Sequence, residues 1–284
     1  MIQSLKQIKN RIRGIENTQK VTSAMQMISV AKLNRIEKIL YTFRPYFLSL
    51  ETFMNDLVNS SSVPQSPFFE AREGKQDICL CLVTSDGGLC GSYNNNIIRL
   101  AGEFIEKKGK EAIKLVCIGK KGFNFFKKRG LDIVNSYIGF NGRYSEKIVD
   151  EITSALIDIY LSGKAGEVHI AYTQFETALI HKPAVAKFLN IEPSLGKKIE
   201  YIFEPNAERI LEELLPKYIQ IKMRLMFLGA FCAEHSARTV AMKTATDNAN
   251  ELLRGMILLK NKVRQADITE EMMEIISSSE ALKG

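Results

Sequence analysis

The sequence is poor in the residues from which metal sites and disulfide frameworks are built. It has three histidines and five cysteines, and no two cysteines stand at CxxC spacing. A zinc site is therefore disfavoured, and an odd thiol set cannot pair completely. Cys79, Cys81, Cys90, Cys117 and Cys232 read as reduced, mostly buried thiols of a cytosolic protein. Long apolar runs are missing too. Nothing approaches the roughly 18 apolar residues of a membrane span, and no uninterrupted apolar stretch of a secretion signal opens the chain. The amphipathic pattern starts at once, so the expectation is that nothing is reserved for targeting.

Catalytic signatures are equally scarce. There is no GxSxG, HExxH or nucleophilic cysteine motif. His169 falls in a strand pattern, His181 in a loop before Pro183 and His235 on a long helical pattern. The glycines at 87, 88 and 91 do not make GxGxxG, and Gly119-Lys120-Lys121-Gly122 lacks the spacing of a phosphate loop. Both read as tight connections between a strand and a helix. We expect no catalytic residue, no cofactor and no metal, and a chain that is not an enzyme acting alone.

Acidic charge is nearly absent from the first 44 residues. Nine lysines and arginines there face only Glu16 and Glu37, which accounts for the whole net charge of +7. A basic helix suits nucleic acid, a membrane surface, an acidic protein or plain solvent.

What is present is periodicity. Ala245, Ala249, Leu252, Met256, Leu259, Val263 and Ala266 recur in steps of four and three, a heptad seam that keeps one face toward a partner helix. At the other end Ile8, Ile12 and Ile15, then Leu33, Ile36, Leu40, Phe43, Phe47, Leu50, Met54 and Leu57, keep the same phase. Between them the seam turns polar or small at Gln19, Thr22, Gln26 and Ser29, while Val21, Met25 and Ile28 point elsewhere. Pro45 is expected to kink this first helix or end its first part. Ser60, Ser61, Ser62, Pro64 and Pro67 read as a linker.

The middle of the chain alternates. Strands are predicted at 78–83, 113–118, 131–137 and 167–175, with helices at 95–108, 122–128 and 146–161, which implies a mainly parallel sheet. Another strand is expected near 197–203. Asn206 suits an N-cap, and Pro216 suits the first turn of a second helix reaching about Ser277. The fold class is thus α/β: a long antiparallel coiled coil of N- and C-terminal helices plus a Rossmann-like domain. The expected division is 1–57 first helix, 58–205 α/β domain and 206–284 last helix. Counting about 1.5 Å per residue back from that domain puts Met25 level with Arg238, and residue 1 level with residue 262. Past Val263 no helical partner is left within the chain, yet Ile268, Met272, Met273, Ile275 and Ile276 are apolar. Such a surface requires an external sleeve.

Four segments, NTQKVTSAMQM (Asn17–Met27), TSDGGLCG (Thr84–Gly91), ARTVAMKTATDNA (Ala237–Ala249) and NKVRQADITEE (Asn261–Glu271), resemble the gamma subunits of F-type ATP synthases. The resemblance extends over the whole chain in order. It implies a non-catalytic central rotor shaft of a rotary ATP synthase, proton- or sodium-transporting. Its two terminal helices pass through a ring of three alpha and three beta subunits, and its α/β domain contacts the epsilon subunit and the membrane c-ring. No nucleic acid is implied, and membrane association, at the cytoplasmic face of a bacterial plasma membrane, comes only through the complex. By the same resemblance Met25 and Arg238 face the beta subunits, and Gln265 and Thr269 lie in the upper bearing zone with Ile268. Lys20, Lys32 and Arg35 face an acidic loop of the beta subunits. The chain departs from the family at Gly87, where an arginine is usual, and at Ser23, Thr239 and Ser277-Ser278-Ser279. The rival readings are an α/β nucleotide-binding protein with coiled-coil arms and a coiled-coil adaptor for nucleic acid or membrane.

Overall fold

The computed structural model describes residues 4–60, 66–69, 77–191 and 207–281. The elements are α1 (Leu5–Ser60), β1 (Ile78–Val83), α2 (Tyr93–Lys108), a single 3-10 turn (Lys110–Ala112), β2 (Ile113–Ile118), α3 (Lys120–Lys127), β3 (Ile133–Tyr137), α4 (Glu146–Leu161), β4 (Glu167–Phe175), β5 (His181–Leu189) and α5 (Ala207–Ala281). The chain divides into two compact units, Met1–Ile28 with Thr239–Gly284, and Ser29–Arg238.

In the first unit α1 buries Ile8 and Thr22, with Ile12, Ile15, Gln19 and Gln26 half-buried between and beyond them. The polar interruption of the seam is therefore real. Thr22 meets Thr246 of α5, hydroxyl to hydroxyl at 2.8 Å, while Val21, Met27 and Ile28 stay exposed. On α5 the buried or half-buried positions include Met242, Ala245, Thr246, Ala249, Leu253, Met256, Lys260 and Val263. Two steps of the expected seam, at 252 and 259, are thus displaced by one residue, and Ala266 is exposed. Leu252 is 59% exposed and Leu259 also points out, because the doublet Leu252–Leu253 leaves the phase undecided by hydrophobicity alone. Lys260 is half-buried, as its long aliphatic stem allows. Beyond Val263 every position of α5 whose burial is described is exposed.

Helix α1 does not end at Pro45 but continues through it, and Pro45 faces solvent, where water can satisfy the carbonyl freed by the missing N–H. The expectation for the other proline is corrected. Pro216 lies inside a single α5, not at the start of a second helix. The Asn206 cap, the strand near 197–203 and most of the Ser/Pro linker fall outside the described residues.

Among the described residues the second unit carries a five-stranded sheet in the order β3-β2-β1-β4-β5. The first four strands are parallel, and β5 returns antiparallel along β4. His181 is thus in a strand and not in the loop the sequence suggests; among the described residues β5 pairs on one side only, with β4, and an open side tolerates Pro183. The chain moves from β1 through β2 to β3, then jumps back past β1 to β4. Right-handed crossovers put α2 and α3 on one face, and the reversal puts α4 on the other. Side-chain alternation follows. Ile78, Leu80 and Leu82 pack with Ile97, Ala101, Ile105 and Phe126, while Cys79, Cys81 and Val83 join α4 and the stretches of α1 and α5 in this unit. Buried on both faces, β1 needs the continuous apolar run seen in its sequence.

Candidate functional site

In open α/β sheets the crevice at the carboxyl ends of the strands, where the order reverses, is where ligands bind. Here the loops after β1, β2, β3 and β4 converge at that edge, and α5 fills it with its own side chains. Glu234, His235 and Arg238 are 4%, 1% and 9% exposed. The spacing of Glu234 and Arg238 puts them on one helical face, and Arg238 Nη2 lies 2.8 Å from Glu234 Oε1. Arg238 Nε donates to the Gly88 carbonyl at 3.3 Å. His235 Nε2 sits 2.8 Å from the Gly142 carbonyl and Nδ1 sits 3.3 Å from Arg238 Nη1. A carbonyl only accepts and a guanidinium only donates, so the ring is the neutral Nε2-protonated tautomer. Ser236 Oγ donates to the Ala178 carbonyl after β4, and Tyr93 Oη donates to the Ala230 carbonyl at 3.2 Å.

Helix α1 reaches the same edge through Lys32, whose Nζ donates to the Asn141 carbonyl at 2.8 Å. Two glycines make the approach possible. At Gly142, with φ +67°, a Cβ would lie 2.5 Å from His235 Cε1, and at Gly119, with φ +87°, it would lie 2.1 Å from the Thr84 carbonyl oxygen. Asp86 ties the loops together, accepting from the backbone N–H groups of Lys120 at 3.0 Å, Gly139 at 3.2 Å and Asn141 at 2.8 Å.

The charges are set by this burial. Desolvation, together with the nearby Arg238 and Lys32 cations, pushes His235 down to about 4 against the opposing Gly142 carbonyl. Burial raises the Glu234 carboxyl, and the Arg238 guanidinium counteracts part of that rise. Burial and then Arg238 lower Lys32. Burial pushes the Cys79, Cys117 and Cys232 thiols up to about 12. A cluster so constituted has its donors and acceptors turned on one another, and it holds helices to a sheet.

Of the residues singled out from the sequence, the structure brings Lys32 and Arg238 into this cluster. Arg35 is exposed on α1 in the same unit. Lys20 is exposed and Met25 half-buried in the first unit. There too are Gln265, Ile268 and Thr269, all exposed on α5, with Thr269 Oγ1 donating to the Gln265 carbonyl at 2.8 Å. Sequence reasoning missed Asp86, Asn141, Gly142, Glu234 and His235. The four-residue spacing of Glu234 and Arg238 was a readable signal; the loop carbonyls were not, because any residue supplies one. Among the described residues no helix is long and apolar enough to cross a membrane.

A family model described as ATP synthase matches residues 4–282. The chain is 36% identical over 284 residues to the ATP synthase gamma chain of Pelotomaculum thermopropionicum, covering 99% of each. It is 37% identical over 287 residues to that of Geotalea uraniireducens, again covering 99% of each. Among solved structures it resembles a chain of the Euglena gracilis mitochondrial ATP synthase assembly of OSCP, F1 and c-ring. That match has a TM-score of 0.68 at 15% identity and covers 98% of this chain and 94% of that one. A chain of the Tetrahymena thermophila mitochondrial ATP synthase central stalk and c-ring matches with a TM-score of 0.57 at 19% identity, over 79% of this chain and 99% of that one. Full-length identity to the curated relatives, the family match and a shared fold agree: the chain belongs to the ATP synthase gamma-chain family.

Proposed function

We propose that the chain is the central rotor shaft of a rotary ATP synthase, coupling rotation of an ion-driven membrane ring to ATP synthesis or hydrolysis on a hexamer of three alpha and three beta subunits. The observation that carries this reading is the unsheathed end of α5. Ile268, Met272, Met273, Ile275 and Ile276 are 49 to 67% exposed on a regular helix. Covering four such side chains is worth about 6 to 12 kcal/mol, so a partner with an apolar bore stabilises them, and a phosphate surface does not. A shaft whose faces differ presents different contacts to three identical beta subunits at once. Differential contact shifts each between states of different nucleotide affinity, which a symmetric shaft does not do.

Residues 1–57 and 206–284 then serve as the shaft and 58–205 as the foot, which meets the epsilon subunit and the c-ring. Gln265, Ile268 and Thr269 belong to the sleeve, and Lys20, Met25, Lys32 and Arg35 to the beta-subunit contacts, while Arg238, buried against Glu234 and the Gly88 carbonyl, braces the foot rather than touching a beta subunit. The protein sits at the cytoplasmic face of a bacterial plasma membrane through the complex alone. Against a nucleotide-binding role stands the crevice filled by Glu234, His235 and Arg238. The test is reconstitution with the alpha and beta subunits after deleting residues 266–284. Assembly or torque should fall while the α/β domain keeps its thermal transition. A fully coupled complex of normal stability from that truncation would refute the sleeve argument.

A further inference from the structure

Within the second unit, two kinds of contact join the sheet domain to the helices, and they resist different motions. Phe227, Leu228, Phe231 and Cys232 of α5, with Leu33, Ile36 and Leu40 of α1, belong to one apolar cluster with the sheet face. Such packing is strong but non-directional, so it opposes separation more than a turn of the helices against the domain. Directional ties at the carboxyl edge supply what it lacks. Lys32 donates to the Asn141 carbonyl, His235 to the Gly142 carbonyl and Arg238 to the Gly88 carbonyl. All three end on backbone oxygens of two short loops, 86–88 and 139–142, that are neither helix nor strand.

A loop carbonyl is a firm anchor only if the loop is itself held. One side chain does this for both loops. The Asp86 carboxyl belongs to the first loop and accepts the backbone N–H groups of Gly139 and Asn141 in the second, with that of Lys120 at the start of α3 as a third. Hydrogen bonds to such a group are stronger than neutral ones and fix direction. The peptide that donates its N–H to Asp86 at Asn141 is followed at once by the carbonyls that hold Lys32 and His235.

We propose that Asp86 is a positioning residue that locks the α/β domain against rotation on the two helices, so that torque passes between foot and shaft without slip. This rests on the rotor reading.

The test measures twist at two places in the full chain assembled with its alpha and beta subunits and stalled with ADP. All five natural cysteines are buried, so an introduced thiol takes a bead selectively. Exposed Lys107 on α2 reports the domain and exposed Ser49 on α1 reports the helices, each through a Cys substitution. In Asp86→Ala the angular variance of the Lys107 bead should rise about twofold or more, because the loop anchors lose their acceptor. The Ser49 bead and the rate of unloaded ATP hydrolysis should be unchanged. Asp86→Asn, which keeps one acceptor oxygen, should fall between, and it decides by the same criterion if Asp86→Ala fails to assemble. Unchanged variance at Lys107, or an equal rise at both positions, overturns the lock. A wild-type chain that does not assemble or rotate overturns the rotor reading itself, and the lock with it.

Discussion

Replacing Arg238 by methionine separates a buried tie from a surface charge. The guanidinium is 2.8 Å from the Glu234 carboxyl, and that carboxyl is 4% exposed. Removing one partner of such a pair leaves an uncompensated buried charge, at a cost of about 3 to 5 kcal/mol. Protonating Glu234 offers a way out. Burial already raises its pKa and Arg238 is the largest opposing influence, so the substitution raises it further. A folded-state pKa above the unfolded one means that the folded variant binds more protons between the two, and its stability rises as pH falls through that window. His235 acts in the same sense, since loss of Arg238 removes one of the charges that depress it. The deficit relative to wild type should therefore be largest at about pH 8 and shrink toward about pH 5. Adding Glu234→Gln should recover most of it at the higher pH. Urea unfolding of the full chain followed by far-UV circular dichroism, at both pH values and on all variants, gives these differences. A deficit below about 0.5 kcal/mol at the higher pH, the range of ordinary surface substitutions, or one that grows on acidification, would refute the reasoning.

The wild-type chain should itself weaken in acid. His235 is held near 4 against an ordinary 6.5, so the unfolded chain binds its proton first, and stability of about 3 kcal/mol is lost as pH falls from 6.5 through 4. Urea midpoints across that range should show the slope, and His235→Leu should flatten it at the expense of stability at neutral pH. For Gly119→Ala, a Cβ 2.1 Å from the Thr84 carbonyl at φ +87° should cost about 3 kcal/mol or more, read as a lowered thermal transition; a transition unchanged within error would contradict the close approach.

Much of the fold could be read directly from the residues. The strands 78–83, 113–118 and 167–175 and the helix 146–161 lie where apolar runs and 3.6-residue periodicity put them. Strand β5 escaped because Pro183 and its half-exposed pattern resemble a loop. The heptad seam was readable in existence and in half of its phase. Ala245, Ala249, Met256 and Val263 are buried or half-buried as expected, but the doublet Leu252–Leu253 offered two apolar choices and packing took the second.

Sequence by itself determined the family, the α/β alternation, the long terminal helices and the unsheathed apolar end of α5. These depend on periodicity and residue type, which each stretch of chain carries locally. Tertiary structure alone decided that the ligand crevice of the sheet is filled by Glu234, His235 and Arg238, and that Lys32 and Arg238 end on loop carbonyls. It alone showed that Asp86 fastens those loops. Backbone oxygens have no signature in a sequence, and a buried polar network exists only where distant segments supply each other's missing donors and acceptors.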